Sequence, residues 1–162
     1  MHTLNKLIFL DLDGVLDTYK SHYILDPVLM DRLGNILGRT GAWIVISSSW
    51  RCGNVPDTIE FMTDYDNPRV GSNPFPFTDR IIGVTPILYT VVDNDIDRPA
   101  TRGEEISVFL KGHPCDNYVI LDDCDETLRD QRSHLVLINE EVGLTDKDVE
   151  MAVSILNQKE IQ

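Results

Sequence analysis

Three short apolar runs along this chain each stop at a cluster of polar residues. Leu7-Ile8-Phe9-Leu10 runs into Asp11-Leu12-Asp13-Gly14, Trp43-Ile44-Val45-Ile46 into Ser47-Ser48-Ser49-Trp50-Arg51, and Tyr118-Val119-Ile120-Leu121 into Asp122-Asp123-Cys124-Asp125-Glu126. Apolar runs of this length, bounded by turn formers, predict buried strands. Between the first two, Val28 or Leu29, Leu33, and Ile36 or Leu37 recur at helical spacing, with Asp26 as N-cap, Pro27 in the first turn and Gly38 near the stop. The result is a β-α-β unit, parallel and right-handed by the crossover rule. A further helix is expected over Glu104 to Lys111 and a last strand over Leu135 to Ile138. A closing helix starts near Thr145, where Thr145 and Asp148 form an acidic capping box and Val149, Ala152, Ile155 and Leu156 make the inner face.

The interval from Cys52 to Thr101 differs, because Pro56, Pro68, Pro74, Pro76, Pro86 and Pro99 interrupt any long element. It predicts loops around one short helix near Asp57 to Thr63 and a strand or two between Arg80 and Val92. Within it, Asp93-Asn94-Asp95-Ile96-Asp97 begins like a calcium loop, but the turn position that calls for glycine is Arg98, followed by Pro99; a solvated acidic loop is expected.

The strand ends carry the candidate chemistry. In an open parallel sheet, ligands gather outside the carboxyl ends of the strands, so the three polar clusters converge on one crevice. Alternation along an extended chain would aim Asp11 and Asp13 the same way, and a divalent cation such as Mg²⁺ would relieve the repulsion between such carboxylates. Gly14 lets the backbone turn away without a side chain in the site.

A chain of 162 residues, 42% hydrophobic and 25% charged, suits one domain spanning residues 1–162, with 52–101 as a small irregular insertion near the site. No apolar stretch approaches the ~20 residues of a membrane span, and the expected compartment is the cytoplasm. Cys52, Cys115 and Cys124 form neither a disulfide set nor a CxxC spacing, and His2, His22, His113 and His134 show no zinc-ligand spacing. A net charge of −13 argues against strong non-specific nucleic-acid binding. Arg51, Arg69, Arg80, Arg98 and Arg102 leave room for a locally basic rim, with a solvated scatter as the plainer expectation.

The order of these clusters resembles the haloacid dehalogenase (HAD) superfamily of aspartate-nucleophile phosphohydrolases. Asp11-Leu12-Asp13-Gly14-Val15 matches its first motif, Ser47 or Ser48 the second, Arg102 in Thr101-Arg102-Gly103-Glu104-Glu105-Ile106 the third, and Asp122-Asp123 the fourth. The strings SSSWR, TRGEEI, YVILDD and LVLINEEVGLTDKDVEMAVSIL look most like the HAD domains of RNA-repair (Swiss Army Knife) proteins, distantly similar to polynucleotide 3′-phosphatases.

That resemblance implies an α/β protein with a three-layer α/β/α HAD-like Rossmannoid fold around a mainly parallel sheet. Neither interval in which the family inserts a large cap domain is long enough to hold one, so the site is expected to be open to bulky phosphate esters. It further implies a Mg²⁺-dependent phosphatase with Asp11 as nucleophile, Asp13 as general acid and base, and Ser47 and Arg102 holding the phosphoryl oxygens. Asp11, the Asp13 backbone carbonyl and Asp122 are the implied metal ligands; Asp123 binds through water or orients Asp122. Gly14, Ser48 and Arg51 are candidate substrate contacts, with a structural ion pair as the alternative for Arg51. Asp17 and Asp125 are expected to be turn or solvated residues. The substrate is expected to be a phosphorylated small molecule or a nucleic-acid end. A phospho-receiver or silent phosphate-binding module is the competing class, but receivers place adjacent acids on the first strand, the reverse of the order here. A phosphotransferase differs only in the acceptor.

Overall fold

Strand β1 (Leu4–Leu10) is the middle strand of a five-stranded, all-parallel sheet, and its sequence shows why. The computed structural model describes residues 4–92 and 95–159. Leu7, Ile8, Phe9 and Leu10 are each 0% exposed, so the run is covered on both faces, as strands flanked by helices on either side must be. Burial of each such side chain is worth about 1.5–3 kcal/mol. Beside β1 lie β2 (Trp43–Ile46) and β6 (Cys115–Asp122); β3 (Ile81–Val84) and β7 (Leu135–Leu137) are the edges, giving the order β3-β2-β1-β6-β7.

Two-residue alternation divides the core into two clusters. Ile8, Leu10, Ile44, Ile46, Val119 and Leu121 pack on one side with helices α1 (Pro27–Thr40) and α4 (Asp146–Asn157). Leu7, Phe9, Val45 and Ile120 pack on the other with Ile106 and Phe109 of α3 (Arg102–Gly112). These are the three layers of the HAD-like fold. On the second face the Phe9 ring meets the Phe109 and Tyr118 rings edge-on, each at 5.7 Å between centroids.

Most boundaries follow the sequence pattern, and the departures have local causes. Asp26 caps α1 by accepting the Val28 N–H at 2.9 Å, with Pro27 in the first turn. The helix passes through Gly38 and stops at Gly41, whose φ of +67° lets its N–H reach the Leu37 carbonyl. Thr145 and Asp148 form the capping box of α4, but its inner face uses Val153, with Ile155 only half-buried. Helix α2 (Val55–Thr63) begins two residues before its expected start because Asn54 caps it.

The larger difference lies in the insertion. There, β4 (Tyr89–Val92) and β5 (Asp95–Pro99) pair as a separate antiparallel ribbon. Asp95, Ile96 and Asp97, expected in an acidic loop, belong to a strand because backbone pairing with β4 needs no apolar run; Asp93 and Asn94 lie outside the described residues. Among the described residues, 52–101 holds α2, the edge strand β3 of the central sheet, the ribbon and short turns, and no large cap.

The two glycines near the end of α1 should respond oppositely to alanine. Gly38 is helical with nothing within 4 Å of an added Cβ, so Gly38→Ala should stabilise the protein by about 0.5–1 kcal/mol in urea denaturation. Gly41→Ala should destabilise it, because its left-handed backbone disfavours a Cβ.

Candidate active site

Strand register sets the site. Leu10 pairs with Ile46 on one side and Leu121 on the other, so Asp11, Ser47 and Asp122 follow as the next residues of three adjacent strands. The ladder continues into this row: the Asp11 N–H donates to the Leu121 carbonyl at 3.0 Å, and the Ser47 N–H donates to the Leu10 carbonyl at 2.9 Å. Three residues far apart in sequence are thereby fixed by backbone hydrogen bonds at the carboxyl ends of adjacent strands.

The row buries like charges beside Arg102. Asp11 and Asp122 are 6% and 3% exposed, and Arg102, the first residue of α3, reaches both carboxylates at 3.7 Å. Burial, reinforced by Asp122, pushes Asp11 up to about 8 against the opposing pull of Arg102. Burial likewise raises Asp122 to about 6. Asp122 also accepts the Cys124 N–H at 2.9 Å, which turns the chain so that Asp122, Asp123 and Cys124 present ligand atoms within 4.8 Å of one another. Burial and the neighbouring acids push the Cys124 thiol up to about 11.

Asp13 takes different partners from Asp11. The turn begins at Leu12, whose carbonyl accepts from Val15 and Leu16, so the alternation that would aim both carboxylates the same way stops before Asp13. The Asp13 carboxylate instead accepts the Trp50 indole N–H at 2.9 Å and pairs with Arg69 at 3.3 Å. Arg69 lies 5.6 Å over the Trp50 ring with its side chain half-exposed, a cation at the open edge of the site. Asp17, expected to be a turn or solvated residue, is a turn residue but a buried one: it accepts the Gly14 N–H at 3.0 Å and so closes the turn, and burial and the adjacent Asp13 raise it to about 7. Gly14, with φ of +77°, lies under Asp123: an added Cβ would come within 2.9 Å of the Asp123 Cγ.

Of the candidate serines, Ser48 is used structurally, accepting the Trp50 N–H at 3.2 Å. The Ser47 hydroxyl is buried with no hydrogen-bond partner among the described residues. Arg51, left open above between a substrate contact and an ion pair, forms the pair: it meets Glu105 of α3 at 2.8 Å, with the two side chains 7% and 6% exposed. It also donates to the Ser48 carbonyl at 2.8 Å, tying the β2 loop to the helix that carries Arg102. Burial lowers the Arg51 pKa, with Glu105 opposing.

Sequence reading missed the joint on the other side of Arg102. Gly103 donates to the Glu126 carbonyl at 3.0 Å, while buried Gln131 donates to the Gly103 carbonyl and accepts the Leu128 N–H. An added Cβ on Gly103 would lie 2.7 Å from backbone atoms of Glu126 and Leu128, so only glycine permits this contact. The remaining arginines do not extend the basic rim: Arg80 stacks over Trp43 and donates to Ala42 at the start of β2, and Arg98 pairs with Glu104. Asp125 is a turn residue that accepts from Thr127.

The family model described as the HAD domain in Swiss Army Knife RNA repair proteins matches residues 7–149. No curated protein and no solved structure matches significantly. Among the described residues, no helix is long and apolar enough to cross a membrane.

The raised carboxylates make stability fall with pH. Unfolded, they titrate near 3.8; folded, Asp11, Asp17 and Asp122 keep their protons to about 8, 7 and 6. Between those limits the folded chain binds more protons than the unfolded chain, so raising the pH favours unfolding. In chelator, Tm should decline from pH 5 to 8, and Asp11→Asn should flatten the decline and raise Tm at pH 8. A parent Tm independent of pH in that window would contradict the burial of these charges. Separately, Arg51→Met leaves Glu105 buried and unpaired, and should lower unfolding free energy by about 3–5 kcal/mol in urea melts.

Proposed function

The chain belongs to the HAD domain family of Swiss Army Knife RNA repair proteins, and we propose that it is a Mg²⁺-dependent phosphatase removing a terminal phosphate monoester from a nucleic-acid end. The supporting observation is the row of Asp11, Ser47 and Asp122 at adjacent strand ends, bridged by Arg102. Convergent carboxylates fit a hard divalent cation, whose charge would replace their mutual repulsion. Asp11, the Asp13 backbone carbonyl and Asp122 would hold it, with Asp123 binding through water or orienting Asp122. Bound Mg²⁺ would polarise the phosphoryl oxygens.

The chain's own groups then divide the work. A carboxylate oxygen of Asp11 attacks phosphorus in line, forming an acyl phosphate as the bond to the leaving oxygen breaks. Asp13 gives its proton to that oxygen, then takes one from the water that attacks phosphorus and frees Asp11 and inorganic phosphate. Arg102 neutralises the equatorial oxygens, and the unpartnered Ser47 hydroxyl donates to one of them. Gly14 keeps the mouth open by admitting Asp123 above the turn, and Ser48 shapes the loop behind Ser47. Arg51 acts from behind, holding Glu105 and hence α3; Arg69 is the exposed cation available to a strand's phosphodiester. The proposed setting is the cytoplasm.

Asp11→Asn should abolish Mg²⁺-dependent phosphate release from 3′- or 5′-phosphorylated oligonucleotides while leaving the fold intact. Asp13→Asn should slow esters with poor leaving groups more than an activated aryl phosphate, since only the former need protonation. A parent that binds phosphate esters with Mg²⁺ but releases none would instead be a receiver or binding module. Equal losses with both ester types would remove Asp13 from the acid role.

A further inference from the structure

A cavity of about 320 Å³ opens beside Asp13, and two exposed aromatic side chains, Tyr19 and Tyr23, face it with Asp123, Glu140 and Glu141. Both tyrosines are more than half exposed, at 55% and 57%, an unusual cost for two large rings beside a reactive centre. They are held firmly. Thr18 and Ser21 form a reciprocal capping box around a short 3₁₀ turn that carries Tyr19, and the Tyr23 N–H donates to the Thr18 carbonyl at 2.9 Å. The segment is then tied to the turn that carries Arg69, because the Leu25 N–H donates to the Arg69 carbonyl at 2.9 Å.

A general acid must touch the oxygen it protonates, so the departing group lies on Asp13's side of the phosphorus. The cavity containing Asp13 is therefore where that group sits. Resting on the phosphatase reading above, we propose that Tyr19 and Tyr23 form a stacking platform for the base of the leaving nucleoside. Aromatic faces accept any base, and a stacked base is worth about 1–3 kcal/mol, or roughly 5- to 150-fold in affinity. The carboxylates of Asp123, Glu140 and Glu141 repel further phosphate on this side. The platform thus takes one uncharged nucleoside, and the adjoining phosphodiester of a strand passes toward Arg69, which pairs with Asp13 at the mouth.

The test compares adenosine 3′- and 5′-monophosphates with ribose 5-phosphate, an ester without a base, in the full chain with Mg²⁺. Parent kcat/KM should favour the better nucleotide over ribose phosphate by at least ten-fold, mainly through KM. Tyr19→Ala with Tyr23→Ala should collapse that ratio toward one, while Tyr19→Phe with Tyr23→Phe, which keeps the rings, should preserve it. Thermal melts of each variant check that the fold is retained. A parent ratio near one, or a high ratio surviving the double alanine variant, would overturn the platform while leaving the phosphatase reading standing. If the parent hydrolyses neither these esters nor acetyl phosphate, the phosphatase reading itself fails, and the platform with it.

Discussion

Everything at the site depends on the concentration of negative charge at one edge of a buried sheet. Asp11 and Asp122 follow paired positions on neighbouring strands and are almost wholly shielded from water, so burial raises the proton affinity of both, with Asp122 raising Asp11 further and Asp123 raising Asp122. Arg102 stands against them at 3.7 Å from each. The structure tolerates this conflict because five parallel strands and two apolar clusters hold the strand ends in place. A site held under electrostatic tension is suited to an incoming divalent cation and a phosphoryl group, since both change the charge balance that the protein alone leaves unresolved.

Positioning Arg102 requires more structure than its own helix. On one side, the buried Arg51–Glu105 pair ties α3 to the loop after β2; on the other, Gly103 and Gln131 bind it to the loop after β6. Both joints sit within three residues of Arg102, and together they hold the third-motif cation against the three strand ends. Buried ion pairs contribute little net stability compared with apolar packing, and their value here lies in fixing one arrangement.

The mouth has two characters. Around Asp13 the protein places Trp50 and Arg69 as direct partners and Tyr19 and Tyr23 in a shared cavity, whereas the β4–β5 ribbon lies beside Arg51 and Arg102 at a second cavity of about 230 Å³. With only this small ribbon in place of a large cap, the site stays open to solvent. An open mouth suits a substrate whose bulk must remain outside, and an acidic surface surrounding it confines favourable contacts to the reactive end.

Much of this protein was legible in its sequence, because its strands and helices announce themselves by local patterns. The three apolar runs, the Asp26 and Thr145 caps and the order of the polar strand ends each depend on neighbours a few residues away, and the structure has them where the pattern put them. The exceptions required contacts between distant segments. Gly38 and Gly41 differ only in backbone angle, and Asp95 to Asp97 became a strand through pairing with β4. Asp17 is buried because its carboxylate closes the turn at Gly14, Arg51 faces inward because Glu105 lies across 54 residues of sequence, and Gln131 matters because Gly103 packs against its loop. Sequence spacing reveals which side chains are available at a strand end; which of them share a proton, a salt bridge or a cavity depends on how far apart the folded backbone sets them.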